Sequence, residues 1–288
     1  MDRLKNLIKE IEQIEILETL SDSDVMALLE IHLTISCMLA ANHLESEYGS
    51  VEARGEALKK LYDICCKRSR SNQSKARRSR MITSMYSALY MSGRVLDERK
   101  YEICMNRSFA IIDEWRNTER ELSEKERMTE YGVLRCMVET FAYVAEEDKS
   151  KDKDFCWLQS RLGEWVSDMN TDGSWSGLSN YESLQRLEIL ISNSNTHCDT
   201  RFDVQIEKSV DFYFRKIQES GERDGKTLYY LYKAMTNRMD YSGDSNRIDE
   251  IVSRCAESGC QSIWNQAVII DRECMNLNNI LKQLSLSL

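Results

Sequence analysis

The 288-residue chain has no proline and only 11 glycines. At the usual proline frequency of about 5%, roughly 14 would be expected. The absence excludes collagen-like and polyproline II segments, proline-rich linkers and proline-bounded loops of β-sandwiches. Since proline and glycine are the two residues that disfavour a helix most, little in this chain interrupts one. We therefore predict an all-α fold.

Long apolar runs and a secretion signal are also missing. No stretch reaches the roughly 18 to 20 apolar residues of a membrane span, and the charged, amphipathic N-terminus lacks the apolar segment of a signal peptide. The ten cysteines are fewer than a disulfide scaffold uses. Most of them lie in apolar runs, where cysteine packs as a small hydrophobe. We expect a reducing, cytoplasmic location and no membrane span.

Charge is unevenly distributed along the chain. The net charge is −9, which disfavours a nucleic-acid role for the whole chain, yet residues 67–80 hold seven basic residues and no acidic one. This basic segment could neutralise RNA phosphates or contact an anionic partner, although it lacks interleaved aromatic residues that stack bases. The alternative is a solvated loop that balances an acidic body. The candidate binding residues of the segment are Lys67, Arg68, Arg70, Lys75, Arg77, Arg78 and Arg80.

Aromatic residues recur at a nearly constant spacing. Four leucine-rich stretches begin with a tyrosine, at spacings of 45, 50 and 49 residues, and three intervening helices are expected to end on a bulky aromatic residue. A period near 48 residues with two helices per unit is typical of stacked helical hairpins. The alternative is a non-repeating bundle. The tyrosines are Tyr86, Tyr131, Tyr181 and Tyr230, and the helix-ending residues are Trp115, Trp165 and Phe214.

The length of the chain accommodates about six such hairpins. We therefore predict a helical-hairpin repeat array of about twelve helices, either closed into an α/α toroid or open as a superhelical solenoid. The array is expected to be one domain over residues 1–288. A subdivision of it would give N-terminal helices over 1–66, the basic loop at 67–80 and hairpin repeats over 81–288.

The most distinctive string covers residues 162–190, where one helix is predicted to end and another to begin near Tyr181. Between them, Gly173 can supply the positive φ that a tight turn needs, and Asp172 or Ser174 can cap exposed backbone amides. The aromatic residues that flank the turn, expected to pack against the adjoining hairpin and included among the candidate binding residues, are Trp165 and Trp175.

This string resembles a segment of α/α-toroid enzymes of the terpenoid-cyclase and polysaccharide-lyase type. Those cyclases carry a Gln/Asn–Asp-Gly-Ser-Trp turn, and the lyases a similar Asn-x-Asp-Gly-Ser-Trp followed by an Arg-Leu pair. The likeness covers about 30 of the 288 residues and implies the fold, because the turn is chiefly structural in those families. Their activities are not carried over: the lyases use a proline-containing cleft, and residues 22–25 lack the last acid of the class II cyclase motif Asp-x-Asp-Asp. The matching residues are Asn170, Asp172, Gly173, Ser174, Trp175, Arg186 and Leu187.

Two acidic segments suggest an enzyme. On a helix, Asp249, Ser253 and Glu257 stack three oxygen ligands on one face. Facing a second acidic helix, they could hold Mg²⁺ ions that bind a diphosphate, in a pattern that resembles a degenerate form of the metal motifs of class I terpene synthases. The alternative is chance, since the chain has 48 acidic residues and an acid favours a helix start. The candidate catalytic residues are Asp97, Glu98, Glu102 and Arg215, with Arg201 as an alternative diphosphate sensor.

Metal binding through cysteine and histidine has little support in the sequence. His197 and Cys198 are adjacent rather than spaced as in a zinc site. We expect His197 to be exposed in a polar loop and His32 to lie in a helical core. Residues 146–154, a mixture of acids and lysines, are expected to form a solvated turn. Phosphate-loop, nucleophile-elbow and dinucleotide motifs are absent from the sequence.

A repeat without an accompanying catalytic set favours an interaction protein. We expect a cytoplasmic helical-repeat body that binds a protein or peptide partner through a concave face or central cleft, without a cofactor. The alternative is an α/α-toroid enzyme, either a lyase or cyclase that acts on an isoprenoid diphosphate with Mg²⁺ or an enzyme that modifies a peptide or glycan. A second alternative is binding of RNA or another anionic partner through residues 67–80.

Overall fold

Helices dominate the part of the chain that the structure describes. The computed structural model describes residues 2–42, 44, 51–68, 152–238, 245–257 and 262–286, together with single helical positions between 127 and 149. Over these residues the fold is all-α, as the composition predicts, with no strand in the described ranges. The helices are α1 (Asp2–Glu12), α2 (Asp22–Ala41), α3 (Val51–Arg68), α4 (Lys153–Ser167), α5 (Asn180–His197), a 3₁₀ turn (Thr200–Phe202), α6 (Asp203–Ser220), α7 (Gly225–Thr236), α8 (Ser245–Glu257) and α9 (Ile263–Leu286).

The chain divides into two compact units. Unit 1 comprises Met1–Cys104 and Gly259–Leu288, so it joins the two ends of the sequence, and unit 2 comprises Met105–Ser258. Among the described helices, none is both long enough and apolar enough to cross a membrane. The twelve-helix array, its toroid or solenoid form and the single repeat domain stay predictions.

Unit 1 is built around helix α2, which packs against α3 on one side and against α9 on another. Its contact with α9 includes a hydrogen bond from the Trp264 indole nitrogen to the Ser23 hydroxyl, 2.8 Å long, between residues 241 positions apart. Helix α1 also contacts α9. The apolar core between α2 and α3 is formed by Val25, Leu28, Leu29, Leu58, Leu61 and Ile64.

Unit 2 is centred on α5 and α7, which pack against each other. Residues 182–191 of α5 are all buried, so this helix is covered on every side rather than on one face. Helices α4 and α6 are amphipathic: Leu158, Leu162 and Trp165 of α4 recur at helical spacing on its buried side. The central position of α5 is notable because the buried stretch includes charged and amide side chains as well as apolar ones.

The turn between α4 and α5 has the geometry that its sequence predicts. Gly173 adopts φ +95°, and the Asp172 carboxylate accepts hydrogen bonds from the Ser174 backbone amide at 2.9 Å and from its hydroxyl at 2.7 Å. These bonds from Ser174 hold the pKa of Asp172 below its usual value. The Trp175 indole donates to the Trp165 carbonyl oxygen at 2.7 Å, which closes the turn against the end of α4.

The aromatic residues of the predicted period meet in pairs. The rings of Tyr181 and Tyr230 lie 5.4 Å apart, as do those of Tyr131 and Trp165. Their positions within the helices are less regular than predicted. Tyr181 is the second residue of α5, but Tyr230 lies in the middle of α7, and Phe214 lies six residues before the end of α6. The spacing of about 48 residues therefore marks positions in the middle of helices as well as at their ends.

Helix α5 begins with a reciprocal cap. The Ser179 hydroxyl accepts a hydrogen bond from the Glu182 backbone amide at 3.2 Å, and the Glu182 carboxylate accepts one from the Ser179 amide at 3.0 Å. Burial by itself would raise the pKa of Glu182, but the hydrogen bonds from Ser179 and from Arg127 outweigh it and lower the pKa. The cap thus fixes the first turn of the central helix of unit 2.

Replacing Ser179 with alanine is expected to lower the free energy of unfolding by about 1 kcal/mol, because the Glu182 amide loses its acceptor. Urea unfolding of the two proteins measures the difference. Ser176→Ala is the matched control, since its exposed hydroxyl contacts only Asn170 in the described part of the chain, and we expect a change within about 0.5 kcal/mol. Equal losses in the two variants would contradict a stabilising cap.

Candidate functional site

A cleft opens in unit 2 where α5 ends and α6 begins. We call it the α5–α6 cleft. Its volume is about 310 Å³, close to the lower limit of pockets that take small ligands, about 300 Å³. Three separate segments contribute side chains: the last two turns of α5, the 3₁₀ turn with the start of α6, and the residue two positions after α7. The lining residues are Ile191, Ser194, Asn195, Cys198, Thr200, Asp203, Ile206, Glu207 and Arg238.

The floor of the cleft is apolar and its rim is polar. Ile191 and Ile206 are buried, with 1% and 5% of their surface exposed. On the rim, the Ser194 hydroxyl donates to the Asp203 carboxylate at 3.1 Å, and the Asn195 side-chain amide donates to the Asn237 carbonyl oxygen. These two bonds tie α5 to the start of α6 and to the end of α7, so the rim is held by its own contacts.

The backbone turns sharply at Cys198, beside the cleft. Cys198 ends α5 in the left-handed conformation, with φ 51°, a region that costs a non-glycine residue on the order of 1 kcal/mol. The following residue, Asp199, caps the 3₁₀ turn by accepting a hydrogen bond from the Arg201 amide at 3.1 Å. The thiol of Cys198 is free and exposed. This turn directs Thr200 to the rim of the cleft.

Charges of both signs surround the cleft. The Arg201 side chain forms hydrogen bonds with the Asp199 carboxylate at 2.8 and 2.6 Å, and these bonds hold the pKa of Asp199 below its usual value. Arg238 lies 3.8 Å from Glu207, whose side chain is 64% exposed. The long separation and the exposed Glu207 carboxylate make this a weak pair.

The acidic residues proposed from the sequence for a metal site lie on the exposed side of α8. Asp249, Ser253 and Glu257 are all exposed, and Glu257 borders a surface hollow that also contains Arg223 and Arg254. Among the described residues, no group of three or more Asp, Glu, His or Cys side chains is arranged to hold a metal ion. The proposed partner residues Asp97, Glu98 and Glu102 lie outside the described residues, so their convergence with α8 stays a prediction.

The two arginines considered as diphosphate sensors are both exposed and lie in different elements of unit 2. Arg215, on α6, donates to the Asp211 carbonyl oxygen of its own helix at 3.2 Å. Arg201 belongs to the 3₁₀ turn and is paired with Asp199. Neither is among the residues that line the hollow bordered by Glu257.

Some of the candidate binding residues predicted from the sequence belong to the part of the chain that the structure describes. Lys67 and Arg68 belong to the last turn of α3. Trp165 and Trp175 are buried, with 0% and 5% of their surface exposed, and belong to the core beneath the turn between α4 and α5. The basic residues that lie outside the described part of the chain are Arg70, Lys75, Arg77, Arg78 and Arg80.

Two sequence-based expectations about polar residues are wrong. His197 is the last residue of α5 rather than part of a loop, and its ring packs edge-on against Phe155 with centroids 5.1 Å apart. Its Nδ1 atom lies 3.2 Å from the Lys149 ammonium. Lys149 belongs to the run expected to be solvated, yet it is helical and only 3% exposed. The expectation for His32 is confirmed, since it is buried in α2.

Most residues of the α5–α6 cleft carry no functional signal in the sequence. Only the Asp-Thr pair at 199–200 carries a local signal, that of a capped helix start.

The comparisons with known proteins identify no relative: no family model, curated protein or solved structure matches the chain. The resemblance of residues 162–190 to α/α-toroid enzymes therefore stays a prediction.

Proposed function

We propose that this chain is an interaction protein that holds a short segment of a partner protein in the α5–α6 cleft. The observation that supports the proposal is an apolar floor enclosed by hydrogen-bonding groups from three segments of unit 2. Such a site suits a peptide, because a side chain fills the floor while backbone amides pair with the rim.

The size and chemistry of the cleft favour a peptide side chain over a large cofactor. A volume of about 310 Å³ accommodates one or two apolar side chains, with Ile191 and Ile206 as their contacts. The Thr200 hydroxyl can donate and accept, and the Ser194 hydroxyl, which donates to Asp203, can accept a further hydrogen bond. These groups match the N–H and C=O groups of an extended segment. The Arg238–Glu207 pair offers one charge of each sign to side chains of the partner.

Selection of a random peptide library on the purified full chain tests the proposal. Enriched peptides should share an apolar residue, and their dissociation constants are measured by fluorescence polarisation. Thr200→Trp places a large ring in the cleft from an exposed position and should weaken binding at least about tenfold, or about 1.4 kcal/mol. Glu219→Trp is the matched control, because Glu219 is exposed on α6 away from the cleft, and it should bind as the unmodified chain does.

Two outcomes would overturn the proposal. One is a library that yields no enriched peptide with an apolar residue. The other is a set of peptides that bind Thr200→Trp as tightly as Glu219→Trp, which would place the binding surface elsewhere. The enzyme and RNA-binding alternatives depend on residues 97–102 and, beyond Lys67 and Arg68, on residues 69–80, which lie outside the described ranges. Both alternatives stay predictions.

A further inference from the structure

Arg186 is a buried arginine that packs over two adjacent aromatic rings in unit 2. It lies on α5 with 8% of its surface exposed. Its guanidinium carbon is 4.9 Å from the centroid of the Trp165 ring and 5.8 Å from that of Tyr131. Its Nε atom donates a hydrogen bond to the Tyr131 hydroxyl at 3.1 Å. The rings and this bond fix the plane of the guanidinium group.

The carboxylates around Arg186 are already paired with other arginines. Glu182 lies 3.0 Å from Arg127, and Glu130 lies 2.6 Å from Arg161. In the described part of the chain, Arg186 forms no ion pair, and the Nε bond to Tyr131 is the one hydrogen bond its side chain makes. Arg161 also pairs with Glu164, so of these three arginines Arg186 is the one without a carboxylate partner among the described residues.

A buried charge without a counter-ion is unfavourable, so proteins nearly always pair such charges. Aromatic contacts offset only part of this cost. They leave the hydrogen-bonding capacity of both Nη atoms unused. Burial raises the pKa of Tyr131, which keeps its phenol neutral and able to accept from Nε. The unused donors therefore point to an anion that comes from outside the described chain.

We infer that Arg186 binds a carboxylate group of a ligand. Because Nε is committed to Tyr131, the two Nη atoms remain as an end-on pair, which matches the two oxygens of a planar carboxylate. A carboxylate carries a single negative charge and balances the single positive charge of Arg186. A phosphate dianion would leave one negative charge buried and unbalanced. The Tyr131 hydroxyl hydrogen is directed to no acceptor among the described residues and can serve as a third donor.

This site is separate from the α5–α6 cleft. Arg186 precedes the first cleft residue on α5, Ile191, by five positions, about 7.5 Å along the helix axis, and it is not among the residues that line the cleft. The inference does not depend on peptide binding, because the pairing deficit exists whether or not the cleft is occupied. A variant that blocks the cleft, such as Thr200→Trp, should leave carboxylate binding unchanged.

Calorimetric titration of the full chain with sodium benzoate tests the inference, with acetate, chloride and inorganic phosphate as further probes. We expect saturable binding of benzoate and acetate, and none of chloride. Arg186→Lys keeps the charge but has one ammonium group in place of two parallel N–H donors, so its dissociation constant should rise at least about tenfold. Arg223→Lys, at an exposed position in the same unit, is the control and should bind as the unmodified chain does.

Three results would overturn the inference: no saturable benzoate binding, equal affinity in the two lysine variants, or tighter binding of phosphate than of benzoate. If Arg186→Lys fails to fold, binding at Arg186 can be tested by NMR on the unmodified chain alone. Benzoate should then shift the side-chain Nε–H resonance of Arg186 to a plateau, while that of Arg223 stays constant. An Arg186 resonance that does not move would contradict the site.

Discussion

Replacing Gly173 with alanine is expected to lower the free energy of unfolding of unit 2 by at least about 3 kcal/mol. A Cβ atom at this position would lie 2.6 Å from the carbonyl carbon and oxygen of Lys208 and 2.7 Å from the amide nitrogen of Ser209. These are backbone atoms of α6, so no side-chain rotation relieves the clash. The φ of +95° adds strain for any residue with a side chain. The two effects together place this substitution among the most destabilising single changes.

Alanine variants at two other glycines distinguish the effect of the steric clash from that of backbone strain. Gly177 also has a positive φ, +73°, but a Cβ there meets nothing within 4 Å, so Gly177→Ala should cost only about 1 kcal/mol. Gly163 lies inside α4 with open space around it, and Gly163→Ala should stabilise by roughly 0.5–1 kcal/mol. Urea unfolding of the three variants gives the ranking. A Gly173→Ala variant as stable as Gly177→Ala would show that the turn does not pack on α6.

The turn between α4 and α5 is also where sequence and structure agree best. A glycine after an aspartate and before a serine is a local signal, because the φ of Gly173 and the acceptors of Asp172 lie within five residues of chain. The helix boundaries on either side follow from the same string. The residues that pack against this turn cannot be identified from the string. Nothing in the sequence indicates that the backbone of Lys208 lies against Gly173.

The candidate sites depend on such distant neighbours and could not be derived in the same way. Arg186 looks like an ordinary helical arginine in the sequence, since its pairing deficit exists only because Arg127 and Arg161 occupy the nearby carboxylates. The α5–α6 cleft needs residues from positions 191 to 238 to converge. Helical periodicity predicts which face of a helix is buried, but not which charged side chains pack against that face. The buried Lys149 was missed for the same reason.

Unit 1 is expected to lose about 3 kcal/mol of its stability as the pH falls from 6.5 to about 4, through the titration of His32. Burial, with a further contribution from the positive charge of Arg54, lowers the pKa of His32 from 6.5 to about 4. The folded chain therefore keeps the ring neutral where the unfolded chain binds a proton. The contribution to stability is complete above pH 6.5 and falls through this window. Arg54 is 3% exposed and pairs with Glu12 at 3.5 Å, so its charge stays near the ring.

The pH dependence of hydrogen exchange in peptides from α2 measures this effect within unit 1. His32→Gln removes the titrating ring and should flatten the fall between pH 6.5 and 4, even if the variant is less stable at pH 8 because the amide packs poorly. His197→Gln changes a histidine of unit 2 and should keep the full dependence in α2. Because carboxylates titrate equally in all three proteins, the difference between the curves isolates His32. Parallel curves for His32→Gln and the unmodified chain would show that a different group governs the acid sensitivity of this core.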